Sequence, residues 1–173
     1  MQVYMMGKRC QEYIKNMIQN KTIALIAHDR RKADMVEWVE YNANILLNNQ
    51  IVATGTTGQL IETTLQNYFQ VNTQKEDFFV DKKLSGPMGG DAEIAAMVVN
   101  GQIDFCVFLI DDLNSNPHEA DIQMLLRQCR VHNVPVACNR STADFIISSD
   151  LWEKDYISTP PTYINYERTI RHI

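Results

Sequence analysis

The chain has 173 residues, 45% of them hydrophobic, with a formal charge of −5. That is enough apolar material for one globular domain with a full core, and the acidic balance argues against a nucleic-acid groove or a polybasic membrane anchor. Cys10, Cys106, Cys129 and Cys138 form no Cys-x-x-Cys pair, which excludes a zinc knuckle or a disulfide framework and leaves three of them as core residues in apolar surroundings.

Residues 1–20 hold basic and polar side chains throughout, with no apolar run of signal-peptide or membrane length, so a cytoplasmic protein is expected. Tyr13, Ile14, Met17 and Ile18 mark them as an added helix ahead of a single domain spanning 21–173. Residues 22–27 are an apolar run ending abruptly at His28-Asp29, as a buried parallel strand would. Residues 31–48 carry Val36, Val39, Ala43 and Leu46 at helical spacing. A second strand is predicted over 50–54, then the loop Gly55-Thr-Thr-Gly58 and a helix over 59–69. The polar stretch 70–83 is interrupted by a short strand signal at 78–80, which feeds Ser85-Gly-Pro-Met-Gly-Gly-Asp91 and a helix opened by Asp91. Residues 105–110 are the clearest strand. A proline-containing loop, a helix over 120–131, a strand over 134–137 and a helical segment over 142–149 follow, before an irregular tail.

Strands alternating with helices predict βαβ units, hence a single-domain three-layer α/β/α fold with a mainly parallel, five-stranded, Rossmann-like sheet. In such sheets ligands sit outside the carboxyl ends of the strands. His28-Asp29, Thr54-Gly55-Thr56-Thr57, Ser85-Gly86 with Asp91, and the segment from Asp111 to His118 all fall at strand ends, so four loops converge on one edge.

Each cluster suggests its own chemistry. Three hydroxyls and exposed N–H groups at 54–58 suit a phosphate at a helix N-terminus, ahead of the alternative of a capped tight turn. Walker and dinucleotide fingerprints are both missing, which disfavours nucleotide hydrolysis and NAD chemistry. Lys32, four residues after His28, is a candidate counter-charge. His28, Asp29, Asp111 and His118 include metal-ligand types, yet they have no His-x-His or His-x-x-x-His spacing. Neutral imidazoles polarising a carbonyl, beside a carboxylate that takes a carbon-bound proton, fit them better. Asp29, Asp111 and Asp121 add negative charge that raises the basicity of Asp91.

Ala27-His28-Asp29, Ala53-Thr-Gly-Thr-Thr-Gly58, Leu84-Ser-Gly-Pro-Met-Gly-Gly-Asp91, Asp111 with Leu113-Asn114, Pro117-His118, Asn133-Val-Pro-Val-Ala137 and Thr142-Ala-Asp-Phe-Ile-Ile147, taken in order, resemble the methylglyoxal synthase family. The resemblance implies conversion of dihydroxyacetone phosphate to methylglyoxal and phosphate without cofactor or metal, in a homohexamer inhibited by phosphate. It implies Asp91 as the catalytic base, with His118, His28, Asp29 and Asp111 in the catalytic group. It also implies substrate contacts from His28, Lys32, Thr54, Gly55, Thr56, Thr57, Ser85, Gly86, His118 and Asp121. The same fold serves as a regulatory phosphate-ligand domain, and a phosphosugar isomerase would differ only in how it orients the phosphate. The stretch 63–83 is longer than is usual for the family, and Asp112 stands where proline is common.

Overall fold

The computed structural model describes residues 21–72, 78–114, 118–154, 156, 158 and 159. The expected helix over 1–20 and the end of the tail lie outside them.

Five strands, β1 (Thr22–Ala27), β2 (Gln50–Thr54), β3 (Val80–Lys83), β4 (Phe105–Leu109) and β5 (Val136–Ala137), form one sheet in the order β3-β2-β1-β4-β5. Every pairing is parallel, with Ile23 opposite Ile51 and Phe105, and Val107 opposite Ala137. The helices are α1 (Lys32–Tyr41), α2 (Ala43–Leu46), α3 (Gly55–Asn72), α4 (Gly90–Val99), α5 (Glu119–Val131) and α6 (Arg140–Ile147).

Side chains alternate across a strand, so a central strand buried on both faces must be apolar at every position. In β1, Ile23, Leu25 and Ala27 join one apolar cluster with Met35, Trp38, Ile61, Leu65 and Ile147, while Ala24 and Ile26 join a second with Ile94, Val98, Ile122 and Leu125. Phe105, Val107 and Leu109 of β4 face the first cluster, Cys106 and Phe108 the second. Helices α1, α3 and α6 therefore cover one face and α4 and α5 the other, giving the expected three layers. Trp38 Nε1 donates to Asp144 Oδ1 at 2.8 Å, tying α1 to α6. Cys106 and Cys129 are buried free thiols and Cys138 is half-buried.

Several element boundaries differ from expectation, each for a local reason. The helix over 31–48 breaks at Asn42, whose side-chain amide donates to the Trp38 carbonyl at 2.8 Å, and its buried stripe runs through Met35, Trp38 and Val39 instead of Val36. Gly55 to Gly58 is no loop but the first turn of α3. The third strand is Val80–Lys83, not 78–80: it is an edge strand, so polar side chains are tolerated, and Phe79 is exposed. Only Val136 and Ala137 pair at the other edge. Helix α6 starts at Arg140 because the Asn139 side chain caps it, accepting from the Thr142 N–H at 2.9 Å.

Candidate active site

The chain leaves β1 toward β2 on one side and β4 toward β5 on the other, so the topology switches between these two neighbouring strands. Their carboxyl ends diverge there and open a crevice. A cavity of about 300 Å³ occupies it. His28, the first residue after β1, donates its N–H to the Leu109 carbonyl at 3.2 Å, and its Nδ1 accepts the Asp111 N–H at 3.0 Å. An imidazole that accepts at Nδ1 carries its proton on Nε2 when neutral. Burial holds the His28 pKa below its ordinary value and neighbouring His118 lowers it further, against Asp111, Glu119 and Asp112. Phe108 packs edge-on against the ring at 5.2 Å.

One wall is the amino end of α3. Its first-turn N–H groups have no intrahelical partners, and Thr56 and Thr57 sit among them. Thr57 Oγ1 donates to the Ala27 carbonyl at 3.4 Å, fixing the helix end against β1. Lys32 Nζ donates to Thr56 Oγ1 at 2.5 Å and to Asp29 Oδ1 at 2.6 Å. The Lys32 side chain is 22% exposed and that of Asp29 92%, so the ammonium is turned inward with Asp29 holding it from outside. That hydrogen bond to Lys32 lowers the Asp29 pKa.

The adjoining wall is the glycine loop, whose start lies against Gly55. Ser85 turns the chain by accepting at its carbonyl the N–H groups of Met88 at 2.9 Å and Gly90 at 3.0 Å. Gly89, at φ +102°, then enters α4 in the left-handed region that side chains avoid. This delivers Asp91 to the first turn of α4 with 1% of its surface exposed. Neither carboxylate oxygen receives a hydrogen bond among the described residues. His118 Nε2 stands 3.4 Å from Oδ2, within ion-pair range but without hydrogen-bond geometry. Burial pushes the Asp91 pKa up, His118 pulls it back, and Asp121 adds to the rise.

His28, Asp29, Lys32, Thr54, Thr56, Thr57, Ser85, Gly86, Asp91, Asp111 and His118 thus line one cavity. Two expected contacts do not. Gly55 lies behind Ser85, where an added Cβ would come within 3.0 Å of the Ser85 Cα, and Asp121 reaches the site only through its charge on Asp91. Arg30 was missed. It lines the cavity with a side chain 70% exposed and its Nε 4.0 Å from Asp111 Oδ2; the signal was its place two residues after His28, in the short 3-10 turn Asp29–Arg31. Among the described residues no group of three or more His, Cys, Asp or Glu is arranged to hold a metal ion, and no helix is long and apolar enough to cross a membrane.

The fold and this site define a class, the MGS-like domains, whose family model matches residues 34–138. A methylglyoxal synthase of Treponema socranskii is 53% identical over 147 residues, covering 84% of this chain and 89% of that protein. A methylglyoxal synthase of Coxiella burnetii is 43% identical over 150 residues, covering 87% and 97%. The crystal structure of methylglyoxal synthase from Elizabethkingia anophelis NUHP1 superposes with a TM-score of 0.73 at 40% identity, covering 87% of this chain and 91% of that one. The chain belongs to the methylglyoxal synthase family.

Proposed function

We propose that the chain converts dihydroxyacetone phosphate to methylglyoxal and inorganic phosphate, with Asp91 as the base that starts the reaction. The observation that carries this reading is the state of Asp91: a buried carboxylate, raised in pKa, with neither oxygen hydrogen-bonded among the described residues, on a cavity also lined by Lys32 and Thr56. A regulatory phosphate site has no use for such a group, because burying an unpaired carboxylate costs stability and adds repulsion toward an anion.

In this reading the substrate phosphate lies against the amino end of α3, with Thr54, Thr56, Thr57, Ser85, Gly86 and Lys32 around it, where helix dipole and ammonium favour an anion. Asp91 takes a proton from the carbon bearing the free hydroxyl. The C–H pair becomes the C=C bond and the carbonyl oxygen takes up negative charge, met by the Nε2–H of neutral His28 and by His118. Asp111 holds His28 in that tautomer through its backbone N–H, and Asp29 holds Lys32 in place. The hydroxyl proton then passes to the departing phosphate, the O–H pair becomes the C=O bond of the terminal aldehyde, the C=C pair shifts to the phosphate-bearing carbon, and the C–O pair leaves with phosphate. The enolate left by this step becomes methylglyoxal on protonation at carbon. Elimination requires the bridging C–O bond to stand perpendicular to the enediolate plane, and the separation of phosphate cradle from base enforces that orientation. We further propose a cytoplasmic homohexamer inhibited by phosphate, on the family resemblance.

Substitution Asp91→Asn tests the assignment. Methylglyoxal formation is expected to fall by about 10²- to 10⁴-fold, the usual contribution of a general base, with binding of a phosphate-bearing substrate analogue retained. Near-normal turnover removes Asp91 from its role.

A further inference from the structure

The Ser85 to Asp91 loop joins two parts with separate tasks, and its ends are tied at Leu84, the first residue after β3. The Leu84 carbonyl accepts the Gly55 N–H at 3.2 Å, attaching the loop to the amino end of α3. On the other side, the Leu84 N–H donates to Glu93 Oε2 at 3.1 Å. Glu93 lies two residues beyond Asp91 in the first turn of α4, and its own N–H donates to the Gly89 carbonyl at 3.0 Å, so its backbone belongs to the rigid helix that carries the base. Gly90 packs so tightly here that an added Cβ would stand 1.9 Å from the Leu84 carbonyl oxygen. Leu84 is therefore clamped between the helix whose first turn carries Thr56 and the helix that bears Asp91.

We infer that Glu93 is a positioning residue for the reaction: by accepting the Leu84 N–H, its carboxylate sets the separation between the phosphate cradle at Ser85 and Gly86 and the base Asp91. Glu93 is exposed and does not line the cavity, so it touches no substrate. Its charge is not among the influences on Asp91, which are burial, His118 and Asp121. What it contributes is a fixed distance, and a base misplaced by even an ångström loses rate steeply while binding is spared. The inference rests on the roles proposed above for Asp91, Ser85 and Gly86.

The test is steady-state turnover of dihydroxyacetone phosphate by wild type, Glu93→Ala and Glu93→Gln, with the dissociation constant of inorganic phosphate and a thermal melt for each. Glu93→Ala is expected to lower kcat roughly 10- to 100-fold, while KM and phosphate affinity stay within about twofold, because a transition-state geometry is lost and not a binding contact. Glu93→Gln keeps an acceptor oxygen at the same reach and is expected to recover kcat to within about threefold of wild type. Glu93→Asp, one methylene short of the Leu84 N–H, replaces the alanine variant if that variant does not fold, and is expected to share its loss. Unchanged kcat in the shortened variant, an equal loss in Glu93→Gln, or a rise in KM in place of a fall in kcat overturns the inference. Wild-type protein that forms no methylglyoxal overturns the underlying reading instead, so the two failures are told apart.

Discussion

Asp91 is in a state that a folding protein ordinarily avoids: 1% exposed, with neither oxygen hydrogen-bonded among the described residues. Such a group disfavours its own ionisation, and the linkage has a definite sign. Its folded-state pKa is raised above the unfolded value, so between those two values the folded protein holds the extra proton, and stability falls as pH rises through that window. Above the window the full cost is present. Asp91→Asn is therefore expected to raise the melting temperature at neutral pH, with the gain shrinking as pH falls through the raised pKa; a variant less stable than wild type at neutral pH contradicts this. His28 acts in the opposite sense, because its lowered pKa lets the unfolded chain take the proton first as pH falls below 6.5, and stability is lost on that side. Residue types were legible in the sequence, since an aspartate opening a helix after three glycines and a proline is a recognisable arrangement. The bare state of its oxygens was not. Hydrogen-bond partners come from distant segments, as when Asp111, 83 residues away, supplies the N–H that sets the His28 tautomer.

At the scale of elements, the site depends on how the third strand hands the chain to α4. Gly90 permits the contact with Leu84, and Gly90→Ala forces the backbone apart, because the nearest atoms to a new Cβ are main-chain atoms of Leu84 at 1.9 and 2.8 Å. We expect that substitution to destabilise the fold by about 1–3 kcal/mol, the usual range for overpacking, and to lower kcat as well, measured by denaturant unfolding and turnover. A neutral effect on both would show that the loop is not held by this contact. An apolar run drew the third strand to 78–80, whereas the pairing partners of β2 are Val80 and the polar residues Asp81, Lys82 and Lys83, at an edge where Lys82 instead meets Glu62 at 2.6 Å. The glycines of 55–58 read as a loop, yet they form a helical turn, because Gly55, at φ +27°, lets that turn begin directly at the end of β2.

At the scale of the molecule, alternation of strand and helix patterns was enough to predict a parallel three-layer domain. The order β3-β2-β1-β4-β5 was not, since it depends on which strands pair and pairing is not encoded in any one segment. That order matters most for function, because it places the switch between β1 and β4 and so brings His28 against Asp111. Polar clusters at four strand ends were still sufficient to anticipate nearly the whole cavity, because a parallel sheet sends every strand's carboxyl end to the same edge. Arg30 escaped because its neighbours Arg31 and Lys32 made it look like part of a solvated run. In the proposed reaction these parts act together to expel phosphate from an enediolate instead of moving a proton along it. Incubation of the wild-type protein with dihydroxyacetone phosphate is expected to yield methylglyoxal and inorganic phosphate in equal amounts; glyceraldehyde 3-phosphate as the main product, or binding without turnover, overturns the proposed reaction.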